Sequence, residues 1–111
     1  MIITSPDLPW AGVSHNEALR KQVYLGQGEV PRVTQFARSV FPPGEVAPGH
    51  SHPDMWEVFL VTRGTLTVEV DGQRHELATG STITLAPGEH HELRNEKDED
   101  LELTYFGILQ D

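Results

Sequence analysis

Turn-forming residues divide this chain into short segments from Arg32 onward, and none of those segments has the length or period of an amphipathic helix. Pro42-Pro43-Gly44, Gly64, Asp71-Gly72, Gly80 and Ala86-Pro87-Gly88 supply the breaks. Arg32–Phe41 is rich in Val and Phe. Trp56–Thr62 holds the apolar run Val58-Phe59-Leu60-Val61, which predicts a strand buried on both faces. Thr65–Val70 alternates Leu66, Val68 and Val70 with polar residues, which predicts one buried face. Asp71-Gly72 follows directly and leads into Gln73–Leu77, a tight-hairpin pattern because a two-residue turn needs positive φ angles. Thr82–Leu85, His91–Arg94 and Leu101–Leu109 predict three further strands. Short strands between such turns predict an all-β sandwich or barrel.

The 111 residues fit one structural domain, with residues 1–31 as an N-terminal arm and 32–111 as the barrel. Asn16 to Tyr24 in the arm is compatible with a short helical turn and then a strand. Only 37% of residues are hydrophobic, so part of the apolar surface is expected to be shared with a partner chain. The formal net charge is −9, and the eight basic residues are scattered from Arg20 to Lys97 without a basic stripe. Phosphate-neutralising contacts need clustered Lys and Arg, so nucleic acid and anionic membranes are poor partners. Cysteine is absent, which excludes disulfides and thiolate chemistry. Met1 to Trp10 has no basic segment and no long apolar run, so neither a signal peptide nor a membrane span is expected, and a cytoplasmic location is the default.

Four of the six histidines fall in two narrow windows, His50/His52 and His90/His91. On a strand, residues i and i+2 share a face, so His50 and His52 are expected to aim at one point. Glu57 stands just ahead of the apolar run, where a buried carboxylate without a partner is very costly and a cation would keep it. His91 follows a Pro-Gly turn at the start of a late strand, placed to close the site from the other sheet. His75 beside the hairpin and His15 in the arm are expected at the surface.

The stretch Gly44-Glu-Val-Ala-Pro-Gly-His50-Ser-His52-Pro-Asp-Met-Trp-Glu57-Val-Phe-Leu-Val-Thr-Arg-Gly64 resembles the first motif of the cupins. The stretch from Gly80 to Asn95, with Gly88 and His91 at matching spacing, resembles the second. Nine positions agree in two blocks spanning roughly half the chain. One departs: the usual proline two before Gly88 is Ala86, with Pro87 beside it. The resemblance implies a jelly-roll-like double-stranded β-helix with one metal held by His50, His52, Glu57 and His91. Its spacing selects His91 over His90, and a homodimer is common among such single-domain proteins.

Three imidazoles and a carboxylate suit one divalent transition metal, namely Fe, Mn, Ni, Zn, Co or Cu. Six-coordination would leave two positions for a small molecule that chelates through oxygen. A redox-active ion there would support dioxygen chemistry, and a redox-inert one would act as a Lewis acid. The families it resembles include dioxygenases, isomerases, lyases and decarboxylases. The alternative is a binding or sensing module without turnover, favoured by the small size and the lack of an obvious acid–base residue. Strand alternation puts Met55, Phe59 and Val61 beside Glu57 on the lumen face, and Gln35 and Ser39 on the lumen face of the strand before. Thr34, Phe36, Arg38 and Val40 are expected on the opposite face. Tyr105, aligned with Leu101 and Leu103, is the candidate proton donor.

Overall fold

A computed structural model describes residues 1–13 and 16–110. Every element in it is a strand: β1 (Ala11–Val13), β2 (Asn16–Leu25), β3 (Val33–Phe41), β4 (Val46–His50), β5 (Met55–Arg63), β6 (Leu66–Val70), β7 (Gln73–Leu77), β8 (Thr82–Leu85), β9 (His91–Arg94) and β10 (Leu101–Leu109). They form two antiparallel sheets, ordered β1-β2-β3-β10-β5-β8 and β4-β9-β6-β7. Asn16–Leu25 is a continuous strand without a helical turn, and it pairs with β3 from Arg20 to Leu25. His15 lies outside the described residues.

Local chemistry accounts for the hairpin at β6–β7. Val70 pairs with Gln73, and Asp71 and Gly72 between them take φ values of 47° and 83°. Those angles suit a two-residue turn whose twist matches the strands it joins. The inward faces then meet in one core. Leu66, Val68, Leu101 and Leu103 are all fully buried, with Val61, Leu85 and Leu93 packed among them from both sheets. Each such side chain contributes roughly 1.5–3 kcal/mol by leaving water.

Asn95 is also buried and its polar atoms are satisfied. Its Nδ2 donates to the carbonyls of Phe41 (2.9 Å) and Glu99 (2.7 Å), and its Oδ1 accepts from the Lys97 amide (3.0 Å). It fixes the turn into β10.

The expectation that β5 is buried on both faces fails. Glu57, Phe59 and Val61 point inward, whereas Trp56 is 43% exposed and Leu60 36% exposed. Among the described residues no second layer covers this outer side of the six-stranded sheet, and Ile108, paired with Trp56, is exposed beside them.

Candidate metal centre

The cluster draws on both sheets. Glu57 comes from β5 in the larger sheet, and His91 opens β9 in the smaller one. His50 ends β4 and pairs directly across from His91. His52 lies beyond β4 in the loop leading to β5, so the expectation of two histidines on one strand face is incorrect. The pairing of β4 with β9 is irregular between Ala47 and His50, and the strand ends at His50, ahead of the bend at Pro53 and Asp54. The two imidazoles still converge, with ring centres 4.9 Å apart.

Hydrogen bonds orient two of the rings. His50 Nδ1 lies 2.9 Å from the Pro48 carbonyl, and His91 Nδ1 lies 3.0 Å from the Glu89 carbonyl. A carbonyl only accepts, so each Nδ1 carries the proton and each Nε2 keeps its lone pair. His91 Nε2 faces Glu57 Oε1 at 3.2 Å, and His52 Nε2 faces the same oxygen at 3.3 Å. His90, the neighbour of His91, is exposed, and its ring covers Gly49 outside the cluster.

Two atoms in this cluster lack partners. His91 Nε2 and Glu57 Oε1 are buried and neither makes a hydrogen bond, although they face each other. His91 is 2% exposed and Glu57 9%. Leaving a buried polar atom unsatisfied costs roughly 1–3 kcal/mol, and a cation between the two would remove both costs. The four donor atoms of His50, His52, Glu57 and His91 lie within 4.8 Å of one another. With ligand bonds near 2.1 Å, adjacent ligands stand about 3.0 Å apart and opposite ones about 4.2 Å. The set therefore fits one ion after shifts of a few tenths of an ångström.

Burial is the largest influence on His50 and, with the nearby imidazoles, lowers its pKa against the pull of the Pro48 carbonyl. Burial also acts most strongly on His91, but the Glu57 carboxylate and the Glu89 carbonyl together outweigh it and raise its pKa.

The cluster borders a cavity of about 270 Å³, slightly below the usual range for drug-sized ligands. Gln35, Ser39, Met55, Phe59 and Tyr105 all line it. Tyr105 stacks on Phe59 with ring centres 5.2 Å apart. Burial first and the Glu57 charge second push its hydroxyl up to about 12, so it stays protonated at neutral pH. Thr34 also lines the cavity, contrary to its expected outward position. The β3–β10 pairing shifts register between Gly107 and Ile108, opposite this residue. Thr34 Oγ1 reaches Met55 Sδ at 2.9 Å.

Gly107 contributes space. A Cβ there would fall 2.2 Å from Thr34 Oγ1 and 2.7 Å from Met55 Sδ. A lone glycine in an apolar strand marks a close approach, and that cue was present in Leu101–Leu109.

The family model for the cupin domain matches residues 37–107. The chain belongs to the cupin family. Two curated relatives carry the name oxidoreductase. One from Arthrobotrys oligospora is 43% identical over 51 residues, which is 45% of this chain and 20% of that protein. One from Penicillium terrestre is 39% identical over 49 residues, 43% of this chain and 19% of that protein. The aligned part of this cupin thus spans about a fifth of the length of those relatives. A solved structure of a predicted oxalate decarboxylase from Thermotoga maritima superposes with a TM-score of 0.88 at 22% identity, covering 98% of this chain and 99% of that one. At that identity the likeness concerns the fold.

Proposed function

We propose that this cupin is a metal-dependent enzyme acting on a small molecule that chelates through oxygen. His50, His52, Glu57 and His91 would hold one divalent transition metal. The observation that carries this reading is the pair of facing, partnerless buried atoms, His91 Nε2 and Glu57 Oε1, beside the cavity. Bound there, the metal would supply either redox chemistry with dioxygen or Lewis-acid stabilisation of developing negative charge.

The wall narrows the chemistry. Outside the cluster, its polar side chains among the described residues are Thr34, Gln35, Ser39 and Tyr105. None of these is a base at neutral pH, since Tyr105 is held protonated. Isomerisation through proton abstraction needs such a base. Dioxygenation and decarboxylation need none, and the protonated Tyr105 can donate to a carbanion or to a substrate oxygen. The oxidoreductase and decarboxylase names among the relatives are in keeping with these two reactions.

The test loads the protein with Fe²⁺ or Mn²⁺. Oxygen uptake and carbon dioxide release are followed over a panel of diketones, catechols and oxo-acids. Turnover that requires the metal and is lost in His52→Ala supports the reading. Stoichiometric metal with no turnover on any member would leave the alternative of a binding module. We also propose a homodimer, formed over the exposed outer residues Trp56, Leu60 and Ile108. A monomer mass by light scattering at micromolar concentration would sink that expectation.

A further inference from the structure

Four of the eight basic side chains pair with carboxylates among the described residues. Arg38 pairs with Glu102, Arg74 with Glu96, Arg94 with Glu92, and Lys97 with Glu76. Lys21 differs. It lies on β2 opposite Ser39 of β3, and Ser39 lines the cavity. Leu19, two residues earlier, also lines the cavity, so strand alternation turns Lys21 the same way. The residue is half-buried, its ammonium has no carboxylate within 4.0 Å among the described residues, and it donates to Gln35 Oε1 at 3.2 Å.

That contact orients Gln35. An ammonium can only donate, so the amide oxygen faces Lys21 and the amide NH₂ is left without an acceptor among the described residues. The Tyr105 hydroxyl also approaches Gln35 Oε1, at 3.5 Å. This corner therefore offers an ammonium, an NH₂ and a hydroxyl. It is rich in donors and carries one positive charge.

Gln35 and Glu57 stand in one row of the sheet. Both pair with Gly107, Gln35 from β3 and Glu57 from β5. Two strand spacings separate them, about 10 Å, and the glycine between them has no side chain. The cavity runs across this gap from the metal-ligand cluster to Gln35 and Tyr105, and Lys21 stands at its edge, bonded to Gln35.

We propose that Lys21 and Gln35, bordered by the Tyr105 hydroxyl, form a carboxylate subsite. The substrate is then a short acid with a chelating oxygen pair at one end and a carboxylate at the other. One cation matches one negative charge, and two amide donors suit a planar carboxylate. A phosphate, with up to two charges, would leave part of its charge unmatched. The inference rests on the metal reading above, because the head of the molecule is held by the ion.

The test uses the protein reconstituted with Co²⁺ and two pairs of equal carbon number, malate with 2-hydroxybutanoate and 2-hydroxyglutarate with 2-hydroxypentanoate. Visible absorption reports the head at the metal, and calorimetry reports affinity. In at least one pair the dicarboxylate should bind about tenfold tighter or more, the ratio expected of one charge-assisted hydrogen bond. Lys21→Met should bring that ratio to near one without changing metal content or monocarboxylate affinity. Lys21→Arg should keep a preference. Gln35→Glu should also abolish the preference, because the new carboxylate occupies the ammonium. Equal affinities within both pairs, or a preference that survives Lys21→Met, overturn the subsite alone. Failure to bind Co²⁺ overturns the metal reading and this inference together.

Discussion

Replacing Glu57 with Gln should stabilise the metal-free protein and destabilise the metal-loaded one. Without metal, Glu57 Oε1 and His91 Nε2 face each other at 3.2 Å and both lack a hydrogen bond. A glutamine amide of the same shape can donate to the imidazole nitrogen and satisfy that orphan. Removing one or both penalties is worth roughly 1–3 kcal/mol. For a chain of 111 residues, the usual unfolding entropy converts this to a rise of about 4–13 °C in midpoint. With metal the sign reverses, because an amide is a weaker ligand than a carboxylate. Metal at a thousandfold excess over its Kd adds about 4 kcal/mol to stability, near 18 °C on the same scale, and Glu57→Gln forfeits most of it. The assay is thermal unfolding in chelator and in saturating Zn²⁺, at pH 8. The pH matters because His91 has a raised pKa in the folded state. Its protonated form pairs with Glu57, so its stabilising contribution is full below the unfolded value near 6.5 and is lost as pH rises through the folded value. His50 is lowered and acts in the opposite sense, opposing stability on acidification. The wild-type minus Glu57→Gln difference, followed against pH, reports the part of these contributions that depends on the Glu57 charge, at His91 and at His50. A Glu57→Gln protein less stable than wild type in chelator at pH 8 would refute the reasoning.

His52→Ala should abolish stoichiometric metal measured by mass spectrometry, and full retention would count against the site. Acidification to about pH 5, below the ordinary histidine pKa, should release metal because protonated imidazole cannot coordinate; metal content flat over that range contradicts a three-histidine site. Tyr105 should titrate near 12, as one of the two tyrosines seen by ultraviolet absorption. Its neutral form then contributes about 2–3 kcal/mol that is present below pH 10 and lost as pH rises through 12, and Tyr105→Phe should remove this alkaline loss. Gly107→Ala should cost about 1–3 kcal/mol by overpacking against Thr34 and Met55 and shrink the cavity, while metal content stays stoichiometric; unchanged stability in urea would show that the neighbours yield freely.

Much of this was legible from residues alone, for identifiable reasons. The Asp71-Gly72 turn and the alternation on either side fix a hairpin by local sterics, so β7 runs over the expected Gln73–Leu77. Gln35, Ser39, Met55, Phe59 and Tyr105 were grouped by strand alternation, and they do line one cavity. Where alternation breaks, the reading breaks with it. Thr34 enters the wall through a register shift, and His52 reaches the cluster from a loop. Neither a bulge nor a loop path has a period to read. Lys21 escaped notice because, in sequence, it is one scattered base beside Arg20. Its inward direction depends on β2 joining the sheet, which the ambiguous stretch Asn16–Tyr24 did not settle. The outer face of β5 misled for another reason: an apolar run has the same composition whether its second face is covered by its own chain or left exposed.

The cluster draws the two sheets together beside the cavity, while Leu66, Leu101 and Leu103 hold them together in the core. An ion bound to Glu57 on one sheet and His91 on the other would act as a clasp across the mouth of a book whose spine is already sewn. Amide exchange should report this directly. Removing metal should speed exchange in β4 and at the starts of β5 and β9, leave the core around Leu66, Leu101 and Leu103 unchanged, and so make access to the cavity itself a property of the loaded state.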